Sequence, residues 1–152
     1  MDFKGLFKTG PIKAYFLIRI ILGYVFLVAG LQKFIFPDAM GPGRFEEMGY
    51  ANPEFIAYFV GTFEVLGAVL ILIGLFSRFA AVPLIFIMIV AISTTKFPII
   101  TEDGFWPFFH ALRLDFSMLL AALFVLVNGS GKKSLDYILF DDKEDRSFED
   151  EN

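Results

Sequence analysis

FIAYFVGTFEVLGAVLILIGLF, the stretch Phe55–Phe76, runs for 22 residues with a single charge, Glu64. At 1.5 Å per residue a helix of that length spans about 33 Å, enough to cross a hydrocarbon core of about 30 Å. Three more apolar runs flank it. Ala14–Phe36 is broken only by Arg19, Gln32 and Lys33; Phe79–Lys96 carries Pro83 in its first turns; Leu112–Asn128 has Arg113 and Asp115 near its start. The fold expected is therefore all-α, an integral membrane four-helix bundle with helices at 14–36, 55–76, 79–96 and 112–128. Ser77-Arg78 would join the second helix to the third. Gly129-Ser130-Gly131 would end the fourth, with Lys132-Lys133 behind it.

Composition agrees. Hydrophobic residues make up 57% of the 152, Phe alone accounts for 21, and mean hydropathy is +0.67. Soluble domains are roughly 45–50% apolar. Length allows one domain, a membrane domain over 14–140. Residues 1–13, where Phe3, Leu6 and Phe7 interleave with Lys4 and Lys8, suit an interfacial segment on anionic lipid. The first apolar run is too long for a signal-peptide core and lacks a small-residue cleavage site, so it is expected to be retained. Asp141–Asn152 holds seven acids and two bases, a net −5 against −4 for the whole chain. That acidic tail is expected to be disordered.

An even number of crossings puts both termini on one side. Lys4, Lys8, Lys13, Arg19, Arg78, Lys132, Lys133, Lys143 and Arg146 fall on the terminal side. Only Lys33, Arg44, Lys96 and Arg113 fall on the other. The positive-inside rule then makes both termini cytoplasmic. The two long connections, Pro37–Glu54 and Phe97–Ala111, would face outward. Arg44–Gly49 suits one short interfacial helix in the first. Phe97, Phe105, Trp106, Phe108 and Phe109 make the second an aromatic belt, or alternatively the mouth of a ligand site.

No Cys is present and His110 is the single His. Thiol redox chemistry, Cys-ligated clusters and a bis-His haem within one chain are excluded. The carboxylates show no metal spacing, so no metal site is expected. No phosphate loop, Ser/His/Asp set or basic nucleic-acid patch stands out, so nucleic acid is not an expected partner.

Each helix has one face that differs from the rest. On the first, Arg19, Gly23, Phe26, Gly30 and Lys33 align at helical spacing. On the second, Gly61, Glu64, Gly67 and Ala68 do the same. Ala80, Leu84, Ile87, Ala91 and Thr94 share a face of the third, and Ala111, Asp115, Met118 and Ala122 one of the fourth. Small residues favour close helix contact, and charges in a membrane turn away from lipid. Both arguments place these faces at the bundle centre. Arg19, Gly23, Gly30, Gly61 and Gly67 are read as packing residues, with Arg19 either docking a helix or snorkelling to the surface.

Glu64 lies deep, where an unpaired charge costs about 2.5–3.5 kcal/mol. One layer would hold Gln32, Lys33, Glu64, Arg113 and Asp115, with His110 and Lys96 at its rim and Glu64 paired to Lys33 or Arg113. Two readings stand side by side. The charges are buried ion pairs that fix helix register, or they line an outward-opening polar pocket for a small ligand.

Three stretches together resemble the DoxX family of small bacterial membrane proteins. They are Arg19-x3-Gly23…Ala29-Gly30-x2-Lys33, then Gly61-x2-Glu64-x2-Gly67…Gly74-Leu75…Arg78, and Gly129-Ser130-Gly131-Lys132-Lys133-Ser134-Leu135-Asp136. The resemblance covers Arg19–Ile138. The chain departs from the family pattern in having Asp115 where a Glu is frequent. The resemblance implies a four-helix inner-membrane protein that is not catalytic alone. It implies a subunit or anchor of a quinone-linked or redox-stress oxidoreductase complex, with redox-enzyme subunits as partners and quinone as the cofactor. The alternatives are a small-molecule or lipid-binding or transport protein, and a purely structural partner of a larger membrane complex. A homo-oligomer is compatible with each.

Overall fold

A computed structural model describes residues 15–131 and 133–141. The expected interfacial segment 1–13, Lys132 and the tail beyond Asp141 lie outside the described residues. Four long helices form the bundle: α1 (Tyr15–Ile35), α4 (Pro53–Ile73), α5 (Ser77–Thr95) and α7 (Phe105–Asn128). Each is long and apolar enough to span a membrane. Between them lie three short helices, α2 (Pro37–Met40), α3 (Pro42–Glu47) and α6 (Phe97–Glu102), and a π-helical turn, Tyr137–Asp141, follows. No strand occurs among the described residues. The protein is an all-α membrane bundle.

Helices α1 and α4 pack along most of their length, as do α5 and α7; α4 joins the two pairs by packing on α5. The core between them holds Leu22, Phe26, Ala68, Ile71, Ala81, Leu84, Met88, Met118, Ala122 and Val125. Outward faces carry large apolar side chains such as Phe55, Phe79, Phe86 and Val127. That is the pattern of a protein whose solvent is lipid. Gly23, Gly30, Gly61 and Gly67 are all buried. A Cβ on Gly30 would lie 2.8 Å from the Val65 side chain and 2.9 Å from the Gly61 carbonyl. Backbone cannot move aside as a side chain can, so Gly30→Val should force α1 and α4 apart. The expected cost is about 1–3 kcal/mol, read as a lower melting temperature in detergent. An unchanged melting temperature would show that the close approach is dispensable.

Several boundaries differ from the hydropathy reading, each for a local reason. Helix α4 ends at Gly74, whose left-handed φ of 72° closes the helix with Leu75 N–H donating to the Leu70 carbonyl. Ser77 and Arg78, read as the connection, already belong to α5. Pro83 is thereby the seventh residue of α5, in its second turn. Helix α7 starts at Phe105, seven residues before the expected Leu112. Gly104, at φ 90°, breaks the chain there, and Pro107 sits in the first turn where no N–H is required. His110 and Arg113 interrupt the apolar run and so hide the helical turns that precede them. The first long connection folds into α2 and α3, each opened by a proline.

Candidate functional site

The site lies where α1 ends and α5 ends, beside the middle of α4 and of α7. Lys33 Nζ donates to Glu64 Oε2 at 2.5 Å and to the Ala29 carbonyl at 3.3 Å. The two side chains are 13% and 7% exposed. Lys96 Nζ stands 3.3 Å from Asp115 Oδ2. The first ion pair ties α1 to α4, and the second ties the end of α5 to α7. Each closely packed helix pair therefore holds one Lys–carboxylate pair.

A cavity of about 270 Å³ opens between them, lined by all four long helices. Gln32, Lys33, Glu64, Lys96 and Asp115 supply its polar wall, and Phe26, Met88 and Met118 its apolar floor. Met40, Arg44, Phe45, Met48 and Tyr50 close over it from the α2–α3 segment. Every methionine except Met1 thus faces this cavity. Thioether side chains are flexible and polarizable, and such linings adapt to ligands of varied shape.

The expected charged layer is reassigned in part. Arg113 is exposed and does not line the cavity. Residues in a helix turn about 100° each, so Arg113, two positions before Asp115, points to another side of α7. Asp115 pairs with Lys96, a residue read as lying at the rim. His110 is exposed beside Trp106, Pro107 and Phe109 in a shallow surface hollow. Phe105, Trp106 and Phe109 are exposed, with the Trp106 ring edge-on and the Phe109 ring tilted against Phe105, and none of them lines the cavity. The mouth is built instead by the α2–α3 segment. Thr94 lines the cavity but is exposed, and Ala81 and Met88 take the buried face of α5. No group of three or more His, Cys, Asp or Glu suited to a metal occurs among the described residues.

At the opposite end of the bundle, Arg19 does not snorkel; it is 5% exposed. Its Nε donates to the Ile71 carbonyl at 2.8 Å and its Nη2 to Leu72 at 2.7 Å. Its Nη1 donates to Ser130 at 3.0 Å and Lys133 at 2.7 Å. One guanidinium thereby reaches carbonyls at the end of α4, which a helix terminus leaves short of partners, and carbonyls of the segment that follows α7. Asp136 answers it from the chain after α7. Its carboxylate accepts from the Phe76 N–H at 2.7 Å, the Ser77 N–H at 3.2 Å and the Ser130 hydroxyl at 2.8 Å. That caps the start of α5. Its own N–H donates to the Gly74 carbonyl at 2.9 Å. Arg19, Gly74, Ser130 and Asp136 make one knot joining α1, α4, α5 and α7.

These residues belong to the three quoted stretches, and the DoxX family matches the chain over residues 14–97. The chain belongs to the DoxX family. "Uncharacterized membrane protein Rv3486" of Mycobacterium tuberculosis is 45% identical over 125 residues, covering 78% of this chain and 77% of that one. "Putative oxidoreductase CatD" of Bacillus subtilis is 31% identical over 128 residues, covering 84% and 87%. An "Uncharacterized protein" of Haemophilus influenzae is 30% identical over 134 residues, covering 84% and 93%. No solved structure matches the chain significantly.

Two features of this DoxX protein carried little signal in the sequence. Asp136 follows the last apolar run in a polar stretch, where a carboxylate is unremarkable. Its spacing after Gly129 and Gly131, two left-handed glycines, was the available hint. The lid residues Met40, Arg44, Phe45 and Met48 show no signal of their own, because their approach to Glu64 depends on how α2 and α3 fold back.

Proposed function

We propose that this DoxX protein is a membrane subunit or anchor of a quinone-linked or redox-stress oxidoreductase complex, and that the cavity beside Glu64 receives the quinone head. The observation that carries this reading is the pair of ammonium groups, Lys33 and Lys96, one on each helix pair, set into an apolar, Met-lined cavity. Quinone carbonyls accept hydrogen bonds, and a mostly apolar pocket with a few placed donors is the usual form of a small-molecule site. A bound quinone would supply the electron-carrying chemistry for which the chain has no cysteine. The name of the Bacillus subtilis relative points in the same direction. The cavity is small, so an isoprenoid tail would lie outside it, among lipids.

The basic residues at the terminal end favour an inner-membrane topology with both termini cytoplasmic. The cavity would then open outward, and the knot of Arg19 and Asp136 would face the cytoplasm. Ligand binding or transport without a redox partner is a second reading, favoured by the same cavity. Transport is disfavoured because the four long helices lack the unwound centres common in transporter sites.

Native mass spectrometry of protein extracted in mild detergent, with lipid-extract analysis of the same sample, tests the proposal. The expected result is a stoichiometric quinone and a co-purifying soluble oxidoreductase. A bare protein that also fails to bind added 1,4-naphthoquinone would overturn it.

A further inference from the structure

The charges lining the cavity do not cancel. Three cations and two carboxylates face it: Lys33, Arg44 and Lys96 against Glu64 and Asp115. The four residues other than Arg44 neutralise each other in pairs. Arg44 stays charged at any physiological pH. Among the described residues no carboxylate lies within ion-pair distance of it; its Nη1 instead lies 3.9 Å from the Met40 sulfur. Glu46 and Glu47 share its helix but are exposed and do not line the cavity.

An unbalanced guanidinium on the lid of an apolar cavity selects for charge. A neutral ligand uses the interior alone. A ligand with an apolar body and one negative group uses the interior and Arg44 together. The size sets a further limit. About 270 Å³ is at the low end of ligand pockets, which run about 300–1,000 Å³. One or two rings or a short alkyl chain fit; a whole lipid does not. Resting on the reading of this cavity as a quinone or small-molecule site, we infer that its preferred ligand is an amphiphilic monoanion, an aromatic or aliphatic body bearing one carboxylate, phenolate or phosphate, with Arg44 as the anion-binding residue.

A matched pair of probes tests this: 1,4-naphthoquinone, which is neutral, and 2-hydroxy-1,4-naphthoquinone, which is ionised at neutral pH. Both are titrated by equilibrium dialysis into the full chain in zwitterionic nanodiscs, with empty nanodiscs as the blank. The anion is expected to bind at least about tenfold tighter, the ratio expected of a charge-assisted hydrogen bond of 1.4 kcal/mol. Arg44→Gln should abolish that preference, bringing the affinity of the anion down to that of the neutral probe. Arg44 is exposed on a short helix, so this variant should fold, and an unchanged melting temperature verifies that it has. Equal affinities in the unaltered protein would overturn the inference while leaving the cavity reading intact. A preference that survives Arg44→Gln would overturn the role of Arg44. If neither probe binds, the cavity reading fails and the inference with it. Adding phosphatidylglycerol to the nanodiscs separates the sources: competition assigns the site to an anionic lipid headgroup, and its absence to a free amphiphile.

Discussion

Arg19→Ala is expected to lower the stability of the bundle by about 3–5 kcal/mol, the range for removing one partner from a buried charged network. Three carbonyls, of Leu72, Ser130 and Lys133, lose their donor at once, and that of Ile71 keeps only the Gly74 N–H. Each acceptor left buried costs about 1–3 kcal/mol, reduced wherever water reaches the helix end. For a chain of this size the loss corresponds to a melting temperature lower by about 10 °C. Arg19→Lys keeps the charge but not the planar fork that spans the end of α4 and the segment after α7. It should recover less than half of the loss. A thermal melt in mild detergent decides the matter. If Arg19→Ala melts within two or three degrees of the unaltered protein, the knot is not what holds this end together. Ligand binding at the far cavity should survive wherever the variant remains folded, because the knot and the cavity lie at opposite ends.

Glu64→Leu is expected to cost a similar amount, about 3–5 kcal/mol, because it strands the Lys33 ammonium in an apolar site. Lys33→Met should do the same to Glu64. The informative variant is the double one. Replacing a buried ion pair by apolar residues of similar volume is frequently neutral or stabilising, so Lys33→Met/Glu64→Leu should regain most of the lost stability. Thermal melts of the two single variants and the double variant measure the coupling. Binding of 1,4-naphthoquinone to the same proteins then separates the two readings of the charged layer. Stability regained with binding lost means that the pair serves a ligand. Stability regained with binding retained means that it serves register alone. A double variant as unstable as either single one would mean that the pair is held by more than its own attraction.

Other parts of this DoxX protein are legible in the sequence because they obey one-dimensional rules. A run of apolar residues long enough for the membrane forms a helix there, since lipid offers no partner for exposed backbone groups. Helical spacing then puts Arg19, Gly23 and Gly30 on one side of α1, and Gly61, Glu64 and Gly67 on one side of α4. Lys33 lies one turn beyond Gly30 on the same side, so a partner on α4 was foreseeable. The start of α7 was not, because His110 and Arg113 interrupt the apolar run that a hydropathy reading follows. Arg113 was misplaced because a list of charges at one depth ignores the angle at which each leaves its helix.

The sequence by itself therefore determined the membrane setting, the number of crossings and the inward face of α1 and α4. It did so because helix length and helical period are local properties. Only the tertiary structure decided that Asp115 answers Lys96, that Arg19 and Asp136 knot the opposite end, and that Met40, Arg44 and Met48 close over Glu64. Those relations depend on which helices pair and on how two short helices fold back. Such choices are set by packing between segments distant in the chain, and no periodicity within one segment records them.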